Sequence, residues 1–520
     1  MKFLFAIAAL GVALSSAAQQ ITWSQHIAPI VFKNCTSCHR PGEIAPFPLL
    51  TYNDMIGRSY TMRSQIVDRK MPPWKPDSGF GTFVDNRRLA QSDIDLIVNW
   101  LDSGSPRGDS SLEPAPPVFP TGSRLGTPDL VLKMSKPYFH KGDHTDMYRC
   151  FVMPTGLLHD QYISALEFRP GNASIVHHAL FFVDTSGKGK KLDAADPDGG
   201  YLGFGGPGFT PAETPGGWAP GYTPRFLPPG IAWKFPKGCD LVMQIHYAPE
   251  DSDQYDQSSV NVFFNHDNNP RQALTLPLSP DYLVDGPFVI PPNVTKHFTA
   301  KFGLPIDLSF MEVAPHMHLL GKMMKAYAVS PTGDTIPMIW ISDWDFHWQG
   351  AYMFPHMLHI PRGDTIVVES EYDNTTNNFN NPNSPPKQTQ WGESTHDEMM
   401  LCYFLGLLYA KGDENIDMAT PLTAVHESTG VPLDIALAAP YANPATSDVT
   451  IPFSIAHDSH VTLSIVSMLG EEVARLATNR AFSAGPHMMS CSVASLPAGT
   501  YVCQLSSSGE VVTRALRVVH

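Results

Sequence analysis

Asn34-Cys35-Thr36-Ser37-Cys38-His39 places two thiols and an imidazole at the spacing used for covalent haem attachment. In that chemistry Cys35 and Cys38 form thioethers to the porphyrin, and His39 supplies the proximal iron ligand. The competing reading is a redox dithiol that happens to precede a histidine; the apolar leader upstream and the lack of a βαβ pattern count against it. A sixth ligand must come from further along. Met71 in RKMPPWKP is the candidate, a thioether that would raise the reduction potential, with Met55 and Met62 as competitors that also suit core or surface filling.

Three histidine groups follow: His177 and His178 in IVHHALFF, His246 in MQIHYAPE, and His316 and His318 in APHMHLLGK. On a strand, residues i and i+2 share a face, so His316 and His318 can reach one metal ion. His177 and His178 would point oppositely on a flat strand, so joint ligation needs a bend or a strand end. His246 lies in an apolar alternating run, where a buried imidazole needs a partner or a metal. Each group alone is weak, because a lone histidine on an apolar strand is most often a hydrogen-bonded core residue. Met399 in THDEMMLCYF adds a soft thioether that suits Cu(I) and would be an odd zinc ligand. Together the residues suggest a three-histidine site and a two-histidine-plus-methionine site, both for copper.

HH at 177–178, QIHY around His246, HMHL at 316–319 and DEM ending at Met399 resemble, as an ordered set, the copper type II monooxygenases. That family includes the peptidylglycine α-hydroxylating and dopamine β-hydroxylating enzymes, and the resemblance covers roughly residues 130–425. It implies two jelly-roll-like β-sandwiches facing each other across an open cleft, with two copper ions. His177, His178 and His246 would hold the electron-storing copper. His316, His318 and Met399 would hold the copper that meets dioxygen beside a substrate C–H bond, with Tyr403 near it. The chain departs from the family where peptide-amidating members carry an arginine and an asparagine: Ala314 and Leu401 stand there. An apolar or neutral substrate is therefore expected rather than a peptide carboxylate. Cys402 is displaced from a family cysteine, and most of that framework is missing.

The elements that must position these residues are largely strands. With 520 residues the chain is long enough for three or four domains; 48 prolines and 39 glycines favour turn-rich β structure. A net charge of −15 and the absence of a basic run exclude nucleic acid as a partner. Lys2 and the apolar run to Leu14, before Ser16-Ala17-Ala18, read as a signal peptide over 1–18, too short to span a bilayer. No later segment reaches transmembrane length. Residues 21–108 carry helical spacing, notably Ile94, Ile97, Val98 and Leu101 ahead of Gly104, and resemble a small cytochrome c domain with Trp100 in its closing helix. A linker is expected at 109–128, a first copper-binding sandwich at 129–275, a connection near 274–293 and a second sandwich at 290–425. The fold class is thus mainly β and multi-domain, with one small helical domain.

Residues 437–520 read as a further small β-sandwich. Its ANPATSDVTIPFSI, VSMLGEEVARL and LPAGTYVCQL resemble the C-terminal sorting domain of the type IX secretion system. Export is expected, through the periplasm to the surface or medium, with that machinery as a partner. Beyond the haem cysteines there remain Cys150, Cys239, Cys402, Cys491 and Cys503, of which Cys491 and Cys503 flank a turn and are candidates for a hairpin disulfide. Family enzymes usually draw electrons from ascorbate; here the fused haem is expected to supply them, itself reduced by ascorbate or a redox protein. The leading expectation is a secreted copper monooxygenase acting with dioxygen on a small molecule. A surface electron-transfer or copper-binding protein without catalysis is the alternative, and a carbohydrate- or partner-binding scaffold with structural zinc is the third.

Overall fold

The structure is a computed structural model that describes residues 20–120, 122–267, 269–419, 435–437, 440, 442–467, 472–507 and 510–519. The expected signal peptide lies outside the described residues. The chain divides into two compact units, Met1–Ala424 and Val425–His520.

The first unit begins with a helical part: a turn at Trp23–Ile27, then helices Ala28–Asn34, Tyr52–Ile56, Ser59–Val67 and Gln91–Asp102. Ile94, Ile97 and Trp100 recur at three-residue steps, so one face of the last helix closes over Trp23, Ile27, Val31, Leu49 and Met55. The Trp23 and Trp100 rings meet at 6.1 Å and tie the first turn to the last helix. Thr51 and Asp54 form a reciprocal cap on the second short helix. Gly104, at φ 87°, follows the last helix in the left-handed conformation that glycine tolerates best. Four short helices around this core do not by themselves define a cytochrome c domain.

The first sandwich has two five-stranded sheets. One holds the strands Met147–Pro154, Asp240–Tyr247 and Val176–Asp184 at its centre; every residue of Asp240–Tyr247 is buried, as a central strand covered on both faces requires. The second sandwich has two four-stranded sheets, one ordered Leu274–Leu278, Leu401–Leu408, Leu308–His316, Tyr352–Ile360. Leu274–Leu278 was expected to belong to a connection; it is instead an edge strand paired with Leu401–Leu408, and Pro277 is tolerated there because an edge leaves one ladder unused.

The two sandwiches are closed on each other. Met311, Met353, Met357 and Leu407 of the second pack into the same apolar core as Met243, Ile245 and Phe181 of the first. Polarizable, unbranched methionines fill such irregular seams well. The helical part is fastened to the second sandwich by residues 74–85. The Asp77 amide donates to the Trp340 carbonyl (2.8 Å), and the Val84 amide to that of Met353 (2.9 Å). Phe83 stacks on Phe354 at 5.7 Å.

The second unit is a small sandwich of three and four strands around Ile451, Phe453, Leu463, Ile465 and Leu505. Cys491 and Cys503 sit on Gly485–Ser492 and Gly499–Ser507, which lie in different sheets, so these strands form no hairpin and no disulfide joins the two cysteines. All seven cysteines are free thiols. Among the described residues no helix is long and apolar enough to cross a membrane.

Candidate metal centre

His177 and His178 stand at the start of Val176–Asp184, where the register shifts between Val176 and His178. That irregularity breaks the alternation that would send adjacent side chains to opposite faces. His246 lies directly across from His178 on the neighbouring strand. The ligating nitrogens of the three imidazoles all fall within 4.8 Å of one another. His177 Nδ1 and His178 Nδ1 are 3.2 Å apart, close enough that both could serve one ion. His246 donates from Nε2 to Asp146 Oδ1 at 2.8 Å, which leaves its Nδ1 unprotonated. That Nδ1 is buried and has no hydrogen-bond partner, the condition of a nitrogen awaiting a metal. Tyr148 lies flat on the His246 ring at 4.1 Å, and Thr395 donates to Asp146 at 2.7 Å.

The second set is built by strand register. His316 pairs with Leu401 and Ala314 with Tyr403, and the ladder ends there, two residues short of His318 and Met399. The His316 and His318 rings are 5.2 Å apart and perpendicular. Both donate from Nδ1, His316 to Gln349 Oε1 (2.5 Å) and His318 to the Asp397 carbonyl (3.1 Å). Their Nε2 atoms are thereby left as the acceptors, the reverse of His246. Glu398 binds the two arms together: its Oε2 accepts from the amides of His318 (3.0 Å) and Met399 (3.1 Å), and its Oε1 from that of Leu320 (2.7 Å). The Tyr372 hydroxyl donates to the Met399 carbonyl at 2.8 Å. Met400, one residue on, turns into the core.

Burial, reinforced by neighbouring imidazoles, holds His177 and His178 well below the usual histidine range. Burial brings His316 down to about 4 and His318 to about 3. All four are neutral at physiological pH, the form that ligates metals. The two sets are not separated by an open cleft, as the resemblance implied: the His178 and His316 rings approach to 6.1 Å because the sandwiches share their core. Phe346 stacks on His177 (4.9 Å) and meets His318 edge-on (5.7 Å), bridging the two sets from the loop that also carries Gln349.

A cavity of about 390 Å³ opens between the sandwiches, lined by His177, His178, His316, Met399 and Tyr403 and otherwise mostly by apolar side chains. Burial raises the Tyr403 hydroxyl to about 12. Sequence reasoning missed Asp146, Gln349, Phe346 and Glu398. His347 lines this cavity too.

Cys35 ends the helix Ala28–Asn34, and the amides of Cys38 and His39 both turn back to its carbonyl, at 3.2 and 2.9 Å. His39 donates from Nδ1 to the Phe47 carbonyl at 3.0 Å, leaving Nε2 as the ligating atom. The thiols and imidazole fit haem attachment chemically; the 80 Å³ cavity beside Cys38 does not itself enclose a porphyrin. Met71 follows the helix Ser59–Val67 and is half-buried, whereas Met55 and Met62 belong to the helical core.

Residues 295–427 match the family model of the copper type II ascorbate-dependent monooxygenase C-terminal domain. The second sandwich is thus a copper-monooxygenase-like domain. Residues 440–519 match the secretion system C-terminal sorting domain, which indicates export and a surface or secreted location. No curated protein sequence matches the chain significantly. Among solved structures, it is similar to the β-glucuronidase of Faecalibacterium prausnitzii, at 12% identity over 44% of this chain and 38% of that one, TM-score 0.14. The Parabacteroides merdae β-glucuronidase gives 10% identity over 47% and 29%, TM-score 0.13. The VP2 subviral particle of infectious bursal disease virus gives 11% over 57% and 75%, TM-score 0.16. The chain spans well under two thirds of either glucuronidase, and at these scores none of the three bears on fold or activity.

Proposed function

We propose that this chain is a secreted copper-dependent monooxygenase that hydroxylates a C–H bond of a small molecule with dioxygen, drawing electrons through a c-type haem on residues 21–108. The observation that carries the copper reading is the buried, unpartnered Nδ1 of His246 in a cluster where one ligating atom from each of His177, His178 and His246 lies within 4.8 Å of the others. His177, His178 and His246 would hold one copper; His316, His318 and Met399 would hold the second. When bound, copper supplies one-electron chemistry and dioxygen activation, with the Met399 thioether favouring Cu(I).

The protein's own share is positioning and exclusion. Asp146, Gln349 and the Asp397 carbonyl fix which nitrogen of each imidazole is free. Glu398 holds His318 and Met399 in one frame. The apolar cavity wall excludes water beside the reacting bond, which protects reactive species from hydrolysis or quenching. Tyr403 contributes to that wall. Cys35, Cys38, His39 and Met71 would hold the haem. The cavity beside Cys38 and the central cavity share Trp218 and Tyr222 as lining residues, which supports electron delivery between the two sites.

The test is an inventory. The purified protein is expected to carry two coppers per chain, His246→Ala one, and Cys35→Ala/Cys38→Ala no covalent haem. Zinc or no metal at these positions would overturn the reading. Copper without substrate-coupled oxygen uptake would favour a surface electron-transfer protein.

A further inference from the structure

The central cavity holds a carboxylate for which neither histidine set has a use. On the strand Leu308–His316, the residues Glu312, Ala314 and His316 share the cavity face, and their cross-strand partners Leu405, Tyr403 and Leu401 line the same wall. At 3.3–3.4 Å per residue, Glu312 stands about 13 Å from His316 along this row. Among the described residues its carboxyl has no hydrogen-bond or ion-pair partner, and what acts on it is burial and the more distant charge of Arg225. That guanidinium is already paired with Asp85, so it is not free to neutralise Glu312. Leu166, Phe226, Leu227 and Trp233 surround this end of the cavity; the cavity's other carboxyl, Glu393, already accepts from the Gly205 amide at 2.6 Å. A carboxylate in such a place is costly until a donor arrives from outside the chain.

We propose that the substrate is an elongated amine whose ammonium binds Glu312, with its apolar body laid along the Leu308–His316 strand and its far end beside His316 and Met399. The position two residues closer to the histidines is Ala314, which offers no charge and leaves a clear path between the two ends. The anchor is therefore farther from the metal residues than an anchor at 314 would be, and of a sign that rejects a carboxylate. What happens at the far end rests on the copper reading above; the amine site does not.

The experiment uses the full-length, metal-free protein. It is titrated with n-alkylammonium ions of about six to ten carbons, which bracket the ~13 Å row, and with alcohols and carboxylates of the same lengths. Binding is read by calorimetry and by the fluorescence of Trp218 and Trp233, which line the cavity. The ammonium is expected to bind at least about tenfold tighter than the alcohol, as suits a charge-assisted hydrogen bond, and the carboxylate more weakly than both. Glu312→Gln, which keeps shape and volume, is expected to erase the ammonium preference and leave alcohol binding unchanged, with a melting curve showing the variant folded. Equal affinity for ammonium and carboxylate, or a preference that survives Glu312→Gln, would overturn the proposal. Because no copper is present, that failure leaves the metal assignment standing, and a failed copper count leaves the amine site standing.

Discussion

Glu398 shows how much one side chain organises. Its two oxygens take three backbone amides from two separate segments, so it fixes the spacing of His318 and Met399 before any metal arrives. Glu398→Gln leaves one acceptor oxygen and turns an amide N–H₂ towards backbone donors. The expected cost is about 3 kcal/mol of unfolding free energy in the metal-free protein, since stranded buried donors carry their full desolvation penalty. Copper should be lost from the His316, His318 and Met399 site while the three-histidine site keeps its own, a split that metal analysis with electron paramagnetic resonance reads directly. Glu312 acts with the opposite sign. Burial raises its carboxyl from 4.5 to about 7, so its neutral form suits the folded state. Stability is fully present below pH 4.5 and is lost as pH rises through 7. In the metal-free protein Glu312→Gln should leave the melting temperature nearly unchanged at pH 4.5 and raise stability by about 3 kcal/mol at pH 8. The candidate ligands were legible because histidine pairs and a lone thioether are distinctive in type and spacing. Glu398, Gln349 and Asp146 were not, because each is defined by partners tens or hundreds of residues away. Glu312 looked like any alternating strand position.

At the scale of elements, the segment 74–85 decides whether the helical part and the sandwiches behave as one body. Its hold is a mixture of sheet-like hydrogen bonds, the Asp77 carboxylate accepting from the Ser342 amide at 2.9 Å, and aromatic packing of Trp74 against Tyr352 at 5.4 Å. Phe83 is the central ring, touching Trp74, Tyr352 and Phe354. Phe83→Ala removes a partly buried aromatic and should cost about 2 kcal/mol at this contact. The expected outcome is faster proteolysis within 70–90, cutting the chain between the helices Ser59–Val67 and Gln91–Asp102 while the sandwiches stay intact on a gel; unchanged digestion would mean the hydrogen bonds alone suffice. Nothing in the sequence announced this attachment. Trp74, Phe80 and Phe83 sit among prolines and glycines with no period, and their burial is created entirely by a surface more than 250 residues further on. The two-residue strand Gly217–Trp218 escaped for the same reason: it exists only because Val176–Asp184 offers it an edge. The alternating run around His246, in the strand Asp240–Tyr247, was legible, since periodicity is a local property.

For the whole molecule, the division at residue 424 separates the candidate metal ligands from the sorting domain. Among the described residues, the apolar cores of the first unit draw on none beyond Met418, and the core of the second draws on none before Ile435. Each unit thus buries its own apolar surface, which is the physical requirement for folding alone. The sorting-domain match, 440–519, falls inside the second unit, and every candidate ligand falls inside the first. A chain ending at residue 424 is therefore expected to keep the copper content of the full protein, with a melting temperature of its main transition within about 2 °C, while it stays inside the producing cell instead of reaching the surface or medium. Fractionation and metal analysis on the two chains together make the comparison. A fall in copper content on truncation would show that the second unit supports the metal centre after all. Unchanged export would separate secretion from the sorting domain.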